Sequence, residues 1–406
     1  MATSGMVIVG AGEAGVRAAF ALREQGYQGT INLIGDEPHL PYERPPLSKA
    51  GAEADTVRAI VAEARFAEAG ILYRRGSRVC AIERAAHSLL LESGETLAYE
   101  RLLLATGASP RKLACLHYGK RVHTLRTVEQ AAAIRCAMRG GQHLAILGGG
   151  FIGLELAAMG RTLGATVTLI EMQPRVLMRG VPERLALALQ ARHEKEGVNL
   201  VCGLGVESIV EDEARVTITL ADSRHIVADA LVVGIGAQPH TALAEQAGLS
   251  IDNGIAVDDY LRTDDPDIFA AGDCCSYPIA VYGGRRVRLE SWRNAQEQGS
   301  AAAANMLGKA EAFDAVPWFW SDQYDLTLQV AGLADGAITT VARPMSDDAE
   351  ILFHLAGDGR LLAASGLGRG GAVARDIRLA EMLIARRAHP DPAALADPAT
   401  KLKSLL

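Results

Sequence analysis

The stretch Met6-Val-Ile-Val-Gly-Ala-Gly-Glu-Ala-Gly15 decides the fold. An apolar run reads as a buried strand, Gly10, Gly12 and Gly15 follow in G-x-G-x-x-G spacing, and Val16 to Gln25 carries a helical pattern before a second apolar run at Ile31 to Ile34. Strand, glycine turn, helix and strand make one βαβ unit. Its first glycine turns the chain, its second lets the backbone approach a pyrophosphate, and its third packs helix on strand. The helix N-terminus then faces the anion.

The pattern recurs at Leu144-Ala-Ile-Leu-Gly-Gly-Gly-Phe-Ile-Gly153, with Gly148, Gly150 and Gly153 in register, a helical run to Leu163 and a strand at Thr166 to Ile170. One glycine motif is weak, since glycine clusters occur in many turns; two, each framed by strand, helix and strand, predict two dinucleotide sites. Glu171 closes the second unit, where a carboxylate accepts hydrogen bonds from a ribose diol and repels a 2′-phosphate. That favours NADH over NADPH, with Arg175 and Arg179 near enough to oppose it. In the first unit Gly35 stands opposite Glu171, so a ribose contact there comes from Asp36 or Glu37 or is absent.

Working outward, 406 residues are too many for one small core, and two or three domains are expected. A formal net charge of -7 opposes generic nucleic-acid binding. Met6 to Val9 is too short for a signal-peptide core, and no run of about 18 apolar residues is present to span a bilayer, so a soluble, cytoplasmic protein is expected, with no metal site. The six cysteines show neither CxxC nor metal-ligand spacing and read as small buried hydrophobes.

Three more segments fit two dinucleotides. Leu102-Leu-Leu-Ala-Thr-Gly-Ala-Ser-Pro110 and Leu231-Val-Val-Gly-Ile-Gly-Ala-Gln-Pro239 each read as a buried strand ending in a glycine turn and a proline, as at crossings between domains. Thr263-Asp-Asp-Pro-Asp-Ile-Phe-Ala-Ala-Gly-Asp273 sets a carboxylate after a short strand and glycine, placed to bond a ribityl hydroxyl. With these, Pro41-Tyr-Glu-Arg-Pro-Pro-Leu-Ser-Lys49, Leu125-Arg-Thr127, Gly148-Gly-Gly-Phe-Ile-Gly-Leu-Glu155, Glu290-Ser-Trp-Arg-Asn-Ala-Gln-Glu-Gln-Gly299 and Pro317-Trp-Phe-Trp-Ser-Asp-Gln-Tyr-Asp-Leu326 span nearly the whole chain. The sequence resembles the pyridine-nucleotide disulfide oxidoreductase superfamily, and within it the FAD-dependent NADH:ferredoxin reductases of bacterial oxygenase systems.

The resemblance implies an α/β, glutathione-reductase-like fold: two Rossmann-like dinucleotide-binding domains, for FAD and NAD, and a C-terminal α+β domain. The implied boundaries are 1–109 and 234–316 for FAD, 110–233 for NADH and 317–406 for the C-terminal domain. The implied FAD set is Gly10, Gly12, Ala14, Gly15, Asp36, Arg44, Lys49, Val79, Ala105, Thr106, Gly107, Arg126, Asp273 and Trp292. The implied NADH set is Gly148, Gly150, Phe151, Ile152, Gly153, Glu155, Glu171, Arg179 and Gly236, with Lys49 and Glu155 a catalytic pair beside the flavin. Two segments depart from the family pattern, Gly51 to Thr56 and Leu113 to Lys120.

Hydride transfer between such cofactors asks the chain for orientation and electrostatics. Disulfide reductases need a cysteine pair beside the flavin, and thiol-dependent peroxidases and oxidases need one early cysteine. None precedes Cys80, and Pro45-Pro-Leu-Ser-Lys49 stands where it would sit. Electrons are therefore expected to leave for an external carrier, and the resemblance implies that this is a [2Fe-2S] ferredoxin supplying a haem-thiolate monooxygenase or Rieske oxygenase, with the reductase a monomer or weak dimer. Docking is expected to use Arg285, Arg286 and Arg288, or Arg369, Arg375, Arg378, Arg386 and Arg387. Trp318 and Phe319 read as core. The alternatives are an NADH oxidase and an NADH-sensing flavoprotein similar to the apoptosis-inducing ones; NADH oxidation with and without ferredoxin separates all three.

Overall fold

The computed structural model describes residues 4–51, 57–114, 116, 118, 120–346 and 348–406. Most of the Gly51–Thr56 departure, and Cys115, His117 and Gly119 of the second one, lie outside the described residues. The chain forms two compact units: Met1–Glu43, Val57–Ser109 and Gln238–Pro317 make one, and Arg44–Thr56, Pro110–Ala237 and Trp318–Leu406 the other.

The first unit is built on parallel strands in the order Ile71–Arg75, Ile31–Gly35, Gly5–Val9, Thr96–Leu104 and Ile268–Ala270. Gly5–Val9 and Ile31–Gly35 are buried along their whole length, and apolar but for Asn32, which accepts from Arg74, the near-continuous pattern of strands covered on both faces. Beyond Thr96–Leu104 an antiparallel pair, Ser88–Leu91 and Val79–Glu83, extends the sheet. Helix Glu13–Glu24 connects the first two strands and packs on helix Trp292–Met306. Their approach is close because Gly299 has no side chain: a Cβ there would lie 2.4 Å from the Ala14 carbonyl oxygen.

The second unit holds another parallel sheet, ordered Val198–Cys202, Thr166–Glu171, His143–Leu147, Ala230–Val233 and Val122–His123, with helix Phe151–Thr162 after its central strand. A three-stranded antiparallel sheet follows Val198–Cys202 in the chain. The C-terminal part is a five-stranded antiparallel sheet, ordered Trp318–Gln323, Leu326–Gly332, Leu361–Arg369, Ala349–Leu355 and Thr339–Ser346. Helix Ala374–Ala385 packs on it through Ile377, Ala380, Leu383 and Ile384. One core joins the two sheets, with Leu154, Leu169 and Leu185 packed in the same cluster as Leu328, Val330, Leu352 and Leu367. Each such leucine contributes about 1.5–3 kcal/mol of apolar burial.

Phe319, expected in the core, is partly buried and packs against this cluster, edge-on to Phe151 at 4.9 Å. Trp318 is only half-buried and stacks on Trp320 at 5.4 Å. The cysteines need a correction. Cys274 and Cys275 are buried, but Cys202 is partly exposed and Cys80 and Cys136 are exposed. Cys80 sits at a register shift between Val79 and Ala81 on an edge strand, which takes it off the buried face that Ile82 occupies, and Cys136 lies on the outer side of the last turn of helix Val128–Ala137, so local backbone geometry overrides the thiol's preference for burial. Among the described residues no helix is long and apolar enough to cross a membrane.

Candidate functional site

In both sheets the motif residues follow the carboxyl ends of parallel strands, the end where open α/β sheets bind ligands. In the first unit Gly10 follows Val9, Asp36 follows Gly35, Ala105 follows Leu104, and Asp273 stands three residues past Ala270. Gly10 has φ 109°, and a Cβ there would strike the Ala105 carbonyl oxygen at 2.0 Å. Gly15 would meet the Gly10 carbonyl oxygen at 1.8 Å. Gly12 differs from both: a Cβ on it would meet nothing within 4 Å. It caps helix Glu13–Glu24 with no side chain bonding the first amides, so those donors and the positive helix end face open space.

Around this turn, the Ala105 amide bonds the Val9 carbonyl, the Thr106 hydroxyl donates to the His240 carbonyl at 2.7 Å, and the Gly107 carbonyl accepts from the His240 amide. Gln296 donates to Glu13 Oε1 at 2.8 Å, and burial pushes that carboxyl up against the pull of the Gln296 and Trp292 side chains. Asp36 is largely exposed, 3.6 Å from Arg78, the neighbour of Val79. Glu37 accepts from the Tyr42 hydroxyl at 2.6 Å.

The second turn repeats the geometry. Gly148 has φ 113° and would strike the Gly234 carbonyl oxygen at 2.3 Å, Gly153 would strike that of Gly148 at 2.0 Å, and Gly150 faces open space at the uncapped start of helix Phe151–Thr162. Ile152 in that first turn is exposed. The Glu171 carboxylate accepts the Gly149 amide at 2.6 Å and the Gln173 amide at 2.7 Å, which holds it at the lip of the turn. Arg175 is committed to its own loop, donating to the carbonyls of Val176, Leu177 and Val181. Arg179 is exposed and makes no ion pair with a described residue. Gly236, with φ 109°, accepts the Arg111 amide at its carbonyl.

The expected Lys49–Glu155 pair takes a different form. Lys49 Nζ bonds Asp322 Oδ2 at 2.5 Å and lies 5.2 Å from the Trp320 ring centre. Asp322 is held in turn by the Trp320 indole N–H at 3.0 Å and the Thr327 hydroxyl at 2.8 Å. Glu155 is buried and makes its direct bonds to two serines, Ser48 on Oε2 and Ser321 on Oε1 at 2.7 Å. Lys49 acts on it through space only. Burial pushes the Glu155 carboxyl up, opposed by the Lys49 charge and the serine hydroxyls. Burial also acts on Asp322, but its bond to Lys49 and the lysine's charge outweigh it and hold that carboxyl down. One ammonium thus serves two carboxylates of opposite tendency.

Arg44 donates to the Arg126 carbonyl at 2.6 Å, and the Arg126 amide bonds Gln130. Sequence reading missed Ser48, Ser321 and Asp322, although all three lie inside quoted blocks, because nothing in a linear pattern says which strand meets which loop. Of the docking candidates, Arg286 and Arg288 are largely spent on internal carbonyls and on Glu290, and Arg369 and Arg378 pair with neighbouring carboxylates. Arg375 and Arg387 are exposed.

Residues 4–299 match the pyridine nucleotide-disulphide oxidoreductase family, and residues 318–406 the reductase C-terminal family. The chain is 43% identical over 413 residues to the anthranilate 1,2-dioxygenase system ferredoxin–NAD(+) reductase component of Burkholderia cepacia, covering 100% of both chains. It is 36% identical to putidaredoxin reductase of Pseudomonas putida, covering 100% of this chain and 97% of that one. Its fold is similar to that in the crystal structure of the covalent putidaredoxin reductase–putidaredoxin complex, with a TM-score of 0.92, 34% identity, and 100% of this chain and 98% of that one covered. Two glycine turns on parallel sheets, a C-terminal antiparallel sheet and these full-length matches agree: the chain belongs to the pyridine nucleotide-disulphide oxidoreductases.

Proposed function

We propose that this chain takes a hydride from NADH onto FAD and passes the electrons singly to a [2Fe-2S] ferredoxin that supplies an oxygenase, in the cytoplasm. The observation that carries the reading is the pair of uncapped helix starts at Gly12 and Gly150, where the backbone leaves room for a diphosphate and presents free amides to it. The names of the full-length relatives support the choice of NAD and ferredoxin. On this reading residues 1–109 and 234–316 serve FAD, 110–233 serve NADH, and 317–406 form the C-terminal domain.

Bound FAD supplies a ring that accepts a hydride and releases electrons one at a time. The chain's own part is to bind and to set charge. The turn at Gly12 holds one diphosphate and that at Gly150 the other. Glu171, already fixed at its lip, is set to accept a ribose diol, and Arg175 is too committed to loop carbonyls to favour a 2′-phosphate. On the resemblance, Lys49, tethered by Asp322, would offer positive charge to a reduced flavin ring, and the buried Glu155, which feels the lysine's charge, would orient the nicotinamide. Arg44, Val79, Arg126, Asp273 and Trp292 are proposed as further FAD contacts on the resemblance alone. None of the described cysteines enters this path: burial holds the Cys274 and Cys275 thiols protonated, and no disulfide occurs among the described residues.

The test is stopped-flow bleaching of the flavin band. NADH should bleach it with a higher kcat/KM than NADPH, Lys49→Ala and Glu155→Ala should slow bleaching with FAD still bound, and added ferredoxin should restore the oxidised band rapidly. NADH consumption unchanged by ferredoxin and matched by oxygen uptake would replace this reading with an oxidase.

A further inference from the structure

Ser321 is the first step of a hydrogen-bond run that leads away from Glu155. The Gln323 side-chain amide donates to Ser321 Oγ at 3.1 Å, the Gln323 carbonyl oxygen meets His193 Nε2 at 2.9 Å, and His193 Nδ1 meets the Tyr324 hydroxyl at 3.3 Å. His193, Gln323, Ser321 and Glu155 are all buried, His193 and Gln323 almost completely. The far end is built at a backbone cost. Tyr324 opens the two-residue turn between strands Trp318–Gln323 and Leu326–Gly332 with φ 57°, a left-handed conformation unfavourable for a bulky residue. That turn lays its ring against His193 at 5.0 Å.

The donors can be assigned from the network. A Gln323 amide N–H on Ser321 leaves the Gln323 carbonyl oxygen toward His193, so Nε2 must carry the proton and Nδ1 must accept from Tyr324. Ser321, receiving the amide, has its own hydrogen for Glu155 Oε1. Every bond then points the same way, and turning any member reverses it or leaves a buried group unmatched, at a cost well above that of a satisfied bond.

We propose that His193 is a positioning residue for Glu155: as its Nε2–H tautomer it fixes the run Tyr324, His193, Gln323, Ser321 so that Glu155 Oε1 always faces a donor, leaving Oε2, whose partner Ser48 can turn its hydrogen to the Pro45 carbonyl at 3.4 Å, as the oxygen that takes a proton. The inference rests on the functional reading above only for its use, which is to hold Glu155 ionised while the neighbouring lysine is shared with Asp322. The charged and titratable groups facing Glu155 are Lys49 and Asp322. Those facing His193 are Arg192, Glu196 and Tyr324, with Arg192 itself tied to Glu196 and Asp325. Burial keeps His193 neutral, as the run requires.

Two measurements on the FAD-loaded protein test this. In protein labelled with 15N-histidine, the His193 signals, identified by their loss in His193→Gln, should show a protonated Nε2 and a bare Nδ1 at neutral pH. An Nδ1–H tautomer or an imidazolium overturns the proposal. Infrared titration of the protonated carboxyl band of Glu155, identified by its loss in Glu155→Gln, supplies the second readout. Its midpoint should rise by about one pH unit in Ser321→Ala and by a smaller amount in His193→Phe, and should return in His193→Gln, whose amide N–H replaces Nε2–H. A midpoint in a folded His193→Phe equal to that of the parent overturns it, and the labelled parent decides the matter if that variant does not fold. Neither readout involves NADH, so an unaltered hydride rate in Glu155→Gln would defeat the functional reading separately.

Discussion

The glycines of each motif do different work, and the space around a missing methyl separates them. At Gly15 that methyl would lie 1.8 Å from a backbone oxygen, whereas at Gly12 it would touch nothing within 4 Å. Gly12→Val should therefore fold, losing at most about 1 kcal/mol at the helix cap, yet come off the column colourless because the branched side chain fills the diphosphate's place. Gly15→Val should instead lose about 3 kcal/mol or more through overpacking and accumulate as unfolded protein. Flavin absorbance and thermal melting of the two purified variants decide it; full flavin content in Gly12→Val would remove the first turn from the FAD site. The same contrast holds for Gly150 against Gly153 with respect to NADH.

Among the elements, the C-terminal tail is tied to its sheet by one buried cation. Arg343, on strand Thr339–Ser346, donates to the carbonyls of Leu395 (3.1 Å), Asp397 (2.9 Å), Pro398 (3.3 Å) and Thr400 (2.7 Å), and lies 3.9 Å from Asp376. These carbonyls follow or end the short helix Pro392–Ala396, whose five residues are too few to be stable unsupported. Arg343→Met keeps the apolar stem but removes every donor. It should destabilise by about 3 kcal/mol and release the chain beyond residue 391, seen as early proteolytic cleavage there while the sheet remains intact. Equal cleavage rates in variant and parent would show that the segment is held by Leu395 and Leu402 instead.

Across the whole molecule, the buried histidines should cost stability on mild acidification, against the buried Glu13 and Glu155 carboxyls, which are pushed up and act the other way. His354 is buried in the C-terminal sheet between Thr340 and Ser365, and burial lowers it to about 4 from an ordinary 6.5. Between those values the unfolded chain binds a proton that the folded chain does not. The stabilisation is therefore complete above pH 6.5 and is lost as pH falls toward 4, by about 3 kcal/mol in all. His123 and His193, also lowered by burial, act in the same direction. Urea unfolding at a series of pH values should show this slope, and His354→Gln should flatten it; an unchanged slope would place the sensitivity elsewhere.

The linear sequence determined what depends on local pattern. Two glycine motifs, each between a strand and a helix, marked two tight turns because the first and third glycines of each stand where a Cβ would strike a backbone oxygen and the second faces open space. Glu171 at the end of its strand was legible for the same reason, as was the absence of an early cysteine. Tertiary structure decided what depends on which segments meet. Lys49 was expected to bond Glu155, but Asp322, 273 residues away in the chain, takes it, and Ser48 and Ser321 take the carboxylate. The exposure of Cys80 followed from a register shift in its edge strand and that of Cys136 from its helix face, and the His193 run from a turn that brings Tyr324 to a distant helix. A hydrogen bond between residues far apart in the chain leaves no periodicity to read; it exists only once two sheets share a core.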